Sequence, residues 1–238
     1  MGDNSVQSNR LTRRRALGAG ALAATAGIAG VPAATAAPPP GRMHPAHAWR
    51  RLVEGNERFV AARQRHPHEG LPWRETLVDG QEPFACVLGC ADSRVPPELI
   101  FDQGLGDLFT VRTAGEVLDE SIIGSIEYAV AHLHVPLVVV LGHESCGAVT
   151  AAVDLFRSGH GGTGSISTLV RGIEASVLRT PKDDDADAFL AACIVTQARR
   201  VITQLRERSE LIRDAVDSHR LGLVPAVYDL DEYRVQRH

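Results

Sequence analysis

At 238 residues, with 44% hydrophobic and 23% charged side chains, the chain has enough apolar mass for one sizeable core and reads as a single globular domain. A net charge of −4, an aromatic content of 5% and no Lys/Arg cluster beyond the first fifteen residues exclude nucleic acid as an expected partner. Beyond its leader, no segment is apolar enough to span a membrane, so no integral membrane segment is expected in the mature chain.

The leader occupies residues 1–36. Thr12-Arg13-Arg14-Arg15-Ala16-Leu17 precedes an Ala/Gly-rich apolar run to Val31, and Ala34-Thr35-Ala36 offers small residues at a cleavage position before Ala37. Basic, apolar and small-residue regions in that order resemble a twin-arginine export signal, with Ala16 where the pattern usually has Phe. The expectation is an exported protein (periplasmic, cell-surface or secreted). Its loss removes Arg10, Arg13, Arg14, Arg15 and Asp3 and leaves the mature chain more acidic. Residues 37–45, with Pro38-Pro39-Pro40-Gly41, read as a linker, and residues 46–238 as the functional domain.

Within that domain Ala46 to Arg63 has helical spacing, with Trp49, Leu52, Val53, Phe59 and Val60 falling mostly on one face. Gln64 to Glu82, carrying Pro67, Gly70, Pro72 and Gly80, reads as a loop. Phe84 to Leu88 is a buried strand, Pro96-Pro97 opens a short helix, and Leu108 to Arg112 is a second strand. Ser121 to His134 is helical, and Val135 to Leu141 is another buried strand. Cys146 to Phe156 should be a helix that starts on a candidate ligand. After the Gly-rich loop Ser158–Gly164 come helices over Ser165–Leu178 and Asp183–His219, the latter broken near Ser209. Leu223 to Tyr228 is a last strand, and Tyr233 to Val235 is expected to pair with its end as an antiparallel edge. Strands alternating with helices predict an α/β fold: a mostly parallel central sheet flanked by helices, with an N-terminal helical arm.

Two short runs carry the chemistry: Cys90-Ala91-Asp92-Ser93-Arg94 and His143-Glu144-Ser145-Cys146-Gly147, each following an apolar, β-branched strand. Open α/β sheets place ligands just beyond the carboxyl ends of such strands. Two thiolates and one imidazole are the ligand set of a zinc site with an open fourth position. The 53-residue gap from Cys90 to His143 argues against a small structural zinc knuckle, whose ligands come in close-set pairs. Cys86 and Cys193 fall in apolar strand and helix patterns and read as small buried hydrophobes rather than disulfide partners.

The run Cys90 to Glu98 resembles the first signature of the β-class carbonic anhydrases, and Gly142 to Val149 resembles the second. Phe101–Phe109, Arg112-Thr113-Ala114-Gly115 and Gly124–Val130 are similar to the family as well, so the resemblance covers nearly all of the mature chain. It implies one Zn2+ per chain on Cys90, His143 and Cys146, and reversible hydration of carbon dioxide to bicarbonate and a proton by zinc-bound hydroxide. It also implies an orienting dyad of Asp92 and Arg94, Asp92 being able to swing onto zinc as a fourth ligand in a closed state, and a homodimer or higher homo-oligomer. The Gly147 N–H, at a helix start, is placed to meet a developing bicarbonate oxygen. Thr113 and Glu116 depart from the Asn of many members, and Val87 stands where a subset of bacterial relatives has a regulatory-pocket Trp, so that form of regulation is not expected. Hydrolysis of a sulfur analogue of carbon dioxide, or a permanently closed site, would use the same residues. A thiol oxidoreductase is disfavoured because the chain has no Cys-x-x-Cys.

Overall fold

The structure, a computed structural model, describes residues 43–160 and 162–238; the expected leader and most of the expected linker lie outside them. The chain runs α1 (Pro45–Val60), α2 (Leu71–Thr76), β1 (Ala85–Gly89), α3 (Pro97–Ile100) and β2 (Leu108–Arg112), then a 3₁₀ turn over Ala114–Glu116. It continues through α4 (Glu120–Ala131), β3 (Leu137–His143), α5 (Gly147–Ser158), α6 (Ile166–Arg179), α7 (Ala186–Arg208), α8 (Glu210–Asp217), β4 (Gly222–Tyr228) and β5 (Val235–Arg237).

The sheet has the order β2-β1-β3-β4-β5; its first four strands are parallel and β5 joins antiparallel to β4. The chain moves from β1 outward to β2, then crosses back to lay β3 on the other side of β1. That reversal opens a crevice at the carboxyl ends of β1 and β3, where such sheets hold their ligands.

Side chains alternate across the strands as the two-residue period demands. Ala85, Val87, Leu137, Val139 and Leu141 enter one apolar cluster, with α1, α5, α6 and the first half of α7. Cys86, Leu88, Val138 and Val140 enter the other, with α4, α8 and the second half of α7. Both faces are covered, which is why β1 and β3 are buried throughout rather than alternating.

Three details differ from the sequence expectation. The stretch read as a loop over 64–82 contains α2, because Pro72 falls in a first helical turn, where its missing N–H costs nothing. The last strand starts at Val235 rather than Tyr233: Asp229 and Arg234 close the turn before it (Asp229 N–H to Arg234 C=O, 2.8 Å). The first helix begins at Pro45 and buries Ala48 and Leu52 fully in the core. The break near Ser209 is real, with Ser209 extended (φ −121°, ψ 112°) and its side chain capping α8 through Ile212 N–H. No helix among the described residues is long and apolar enough to cross a membrane.

Gly55 brings α1 against the segment after α3 so closely that an added Cβ would run into the Phe101 carbonyl oxygen, whereas a Cβ on Gly124 of α4 would meet nothing within 4 Å. Gly55→Ala should therefore destabilise the fold by about 1–3 kcal/mol, and Gly124→Ala should stabilise it by about 0.5–1 kcal/mol. Urea midpoints of the two variants should move in opposite directions.

Candidate metal centre

The crevice is built from three backbone features. Cys90 is the first residue after β1, and the β1–β2 pairing continues past the strand ends (Thr113 N–H to Gly89 C=O, 3.1 Å; Ala91 N–H to Thr113 C=O, 3.2 Å), which pins it. His143 is the last residue of β3, paired across from Tyr228. Cys146 is the N-cap of α5. The turn between His143 and Cys146 closes through Ser145 in the left-handed region (φ 52°), and Glu144 N–H bonds the Tyr228 carbonyl at 3.0 Å.

These elements bring Cys90 Sγ, His143 and Cys146 Sγ together: one ligand atom from each lies within 4.8 Å of the others, all three residues are buried, and they form the only such group of three or more among the described residues. The sulfurs stand 4.0 Å apart. Tetrahedral zinc with Zn–S near 2.3 Å separates two sulfurs by about 3.8 Å, so the spacing fits with a shift of a few tenths of an ångström. The His143 ring is fully buried; its Nδ1 bonds the Glu144 carbonyl at 2.8 Å, and its Nε2 has no hydrogen-bond partner. With the Nδ1 proton donated to that carbonyl, Nε2 offers a lone pair, the tautomer a metal needs. The donor set, its spacing and the orphaned Nε2 all fit zinc.

Electrostatics reinforce the fit. The two thiols share a hydrogen bond in which either sulfur can be the donor. That shared proton lowers the pKa of Cys90, against the opposing cost of burial and aided by His143 and by the Gly115 and Asp92 backbone, and raises that of Cys146, which burial raises further. One thiolate is thus already favoured, and a metal must displace the second proton.

Asp92 and Arg94 lie beside this cluster. Arg94 holds the Asp92 carboxylate with a two-pronged fork (Nε to Oδ1, 2.9 Å; the terminal nitrogen to Oδ2, 2.8 Å), and its own N–H adds a third bond to Oδ1 at 2.9 Å. Arg94 thereby holds the Asp92 carboxyl well below the usual carboxylate range. Asp92 Oδ2 is 3.9 Å from His143 Nε2, so the carboxylate faces the space in front of the donors. Gly147 is the first residue of α5, and a Cβ there would meet nothing within 4 Å, so the space beside its Cα is open.

Several participants were not singled out by sequence reasoning. Arg112, at the end of β2, grips two carbonyls of the loop, Cys90 C=O at 2.8 Å and Asp92 C=O at 2.5 Å. Gly115 N–H donates to Cys90 Sγ at 3.4 Å. Glu116 is buried with Oε1 unpaired, and burial, then the charge of Cys90, pushes its carboxyl well up. Glu144, which lies between two of the ligands, acts through its backbone on His143, while its carboxylate accepts Leu230 N–H at 3.2 Å. Positions 112 and 115 carried a sequence signal only as parts of a motif without an assigned task, and position 116 only as a departure from the family's Asn. Cys86 and Cys193 are buried free thiols, as expected, and, away from this cluster, His66 and His68 face Glu69 and Asp107.

Known proteins place this arrangement. The family model described as carbonic anhydrase matches residues 85–235. The chain is 45% identical over 193 residues to a carbonic anhydrase 2 of Mycobacterium tuberculosis, covering 80% of this chain and 91% of that one. It is 42% identical over 195 residues to a carbonic anhydrase of Mycolicibacterium smegmatis, covering 81% and 93%. Among solved structures, a tetrameric β-carbonic anhydrase of Sordaria macrospora shares the fold at a TM-score of 0.63 and 22% identity, covering 80% of this chain and 96% of that one. A Coccomyxa β-carbonic anhydrase in complex with acetazolamide does so at 0.65 and 21%, covering 78% and 84%. With both ligand-bearing strands inside the matched region and a 45% identical relative spanning four fifths of its length, the chain belongs to the carbonic anhydrase family, as a β-class zinc enzyme.

Proposed function

We propose that the chain catalyses the reversible hydration of carbon dioxide to bicarbonate and a proton, with one Zn2+ held by Cys90, His143 and Cys146. The observation that carries this reading is the trio of buried donor atoms with an unpartnered His143 Nε2, facing a carboxylate that Arg94 keeps ionised. When bound, the metal supplies Lewis acidity that brings the pKa of a coordinated water from about 15.7 towards ~7.

The remaining work falls to this chain's own groups. Asp92, ionised and aimed into the crevice, accepts a hydrogen bond from the attacking oxygen and so turns its lone pair towards the substrate carbon. Arg94 stays charged at every working pH, keeps Asp92 ionised and draws it away from the ligand position that would close the site. The Gly147 N–H, at the positive end of α5, receives the oxygen on which charge develops. Arg112 holds the Cys90–Asp92 backbone so that ligand and carboxylate move as one unit.

Further readings follow from the same chain. The leader over residues 1–36 serves twin-arginine export, supported by its order of basic, apolar and small residues. Export of the folded protein would allow zinc to be loaded first and to shield Cys90 and Cys146 from oxidation. A homodimer or larger homo-oligomer is supported by the tetrameric Sordaria relative and by the exposed apolar side chains Leu71, Val78, Leu99 and Leu105.

Stopped-flow hydration of carbon dioxide by zinc-quantified protein tests the activity: full zinc occupancy without hydration between pH 6.5 and 9, conditions chosen around the ~7 water pKa above, would overturn it. Cys90→Ser, His143→Ala and Cys146→Ser should each lose zinc, by elemental analysis, and hydration with it. Arg94→Ala should keep its zinc and lose about 10²-fold or more in kcat, because a misplaced orienting group costs that much; unchanged turnover would remove Arg94 from the mechanism. Replacing Arg13 and Arg14 by Lys should trap the protein inside the cell, and the amino-terminal sequence of the exported form should begin at Ala37.

A further inference from the structure

Two buried polar side chains from the helical layer converge on a backbone donor of the metal centre. Gly115, whose N–H donates to Cys90 Sγ at 3.4 Å, lies in the left-handed region (φ 67°, ψ 26°), and Glu116 follows it there at φ 53°. For a residue with a side chain that conformation costs roughly 1–2 kcal/mol, so this turn needs an external hold. Gln197, on α7 and 82 residues away, provides one: its Nε2 donates to the Gly115 carbonyl at 2.8 Å. Ser176 Oγ, on α6, donates to Gln197 Oε1 at 2.6 Å and so fixes which way the amide faces.

Gln197 and Ser176 are 1% and 0% exposed. The other buried positions of α7 (Phe189, Cys193, Ile194, Ala198, Val201 and Leu205) are all apolar. An amide in such a place costs free energy unless it is bonded, and a leucine would pack there without that cost. Helix packing alone does not call for Gln197; the bond to Gly115 does.

We propose that Ser176 and Gln197 are positioning residues that hold the Gly115 N–H against the Cys90 sulfur and thereby tune that sulfur as a zinc ligand. The proposal rests on the zinc reading above. An N–H bonded to a thiolate withdraws charge from the sulfur, leaves the metal more electrophilic and fixes the ligand's direction. Two thiolates donate more charge to the metal than imidazoles would, so each donor that relieves a sulfur supports the Lewis acidity hydration needs. The relay runs from the α6–α7 contact to the centre without touching substrate.

The test uses the full-length protein carrying Gln197→Met, which keeps side-chain length and removes the donor, Gln197→Glu, which faces the Gly115 carbonyl with an acceptor, and Ser176→Ala. Each is read by competition of a chelator for zinc and by the sulfur-to-metal charge-transfer band after Co2+ substitution. The expected result is a zinc affinity roughly 10-fold or more below the parent in both Gln197 variants, the typical cost of losing a group that orients a ligand. The charge-transfer band should shift to lower energy, as expected for a sulfur relieved of its hydrogen bond. Ser176→Ala should shift both readouts in the same sense by less, and add nothing in the Gln197→Met background.

A lowered melting temperature with unchanged zinc affinity and an unchanged band would assign Gln197 to packing alone and overturn the relay. Should Gln197→Met fail to fold, Ser176→Ala carries the test, and its unchanged band would overturn the relay equally. Persistence of the sulfur band in the Cys90→Ser/Cys146→Ser double variant would instead overturn the zinc reading itself, a failure distinct from that of the relay.

Discussion

The parallel pairing of β1 with β3 is the constraint on which the rest depends. Gly89 stands opposite Leu141, so Cys90, just past the end of β1, and His143, the last residue of β3, emerge into the same crevice although 53 positions separate them. A register slip of one residue would exchange the two buried faces and send these side chains to opposite sides of the sheet. Burial on both faces forbids the slip. Val87 and Val139 are committed to one apolar cluster and Leu88 and Val140 to the other, so the metal centre inherits its geometry from the packing of residues that take no part in the chemistry.

Around that crevice the polar groups divide into two kinds. Asp92 is partly exposed and receives three bonds from a single residue, Arg94, so its charge is stable and its direction fixed. The thiols of Cys90 and Cys146, the His143 ring and the Glu116 carboxyl are buried, and two of their atoms, His143 Nε2 and Glu116 Oε1, have no partner. Buried unpaired polar atoms are costly and persist where a function or a further ligand accounts for them. For His143 Nε2 a metal is that account. For Glu116 the structure offers no comparable partner.

Much of this was legible beforehand because it is local. Apolar runs before Cys90 and His143 mark buried strands, Pro96-Pro97 marks a helix start, and an Asp two residues before an Arg is within reach of its fork. The helix at Leu71–Thr76 was not legible, since the prolines and glycines around it argue for a loop as strongly as Pro72 argues for a first turn. Nor was the role of the Glu144 backbone, because a carbonyl leaves no trace in residue identity. Arg112 was visible as part of a motif, yet its task depends on β2 lying beside β1.

The sequence by itself determined most of the elements, the ligand residue types and the nearness of Asp92 to Arg94, because strand and helix periodicity, capping and donor chemistry are properties of neighbouring residues. Only the tertiary structure decided that β3 crosses back to β1, that three donor atoms gather within 4.8 Å, and that Gln197 reaches Gly115 across 82 residues. Those are long-range contacts, selected by the burial of two sheet faces at once, and no local pattern encodes them.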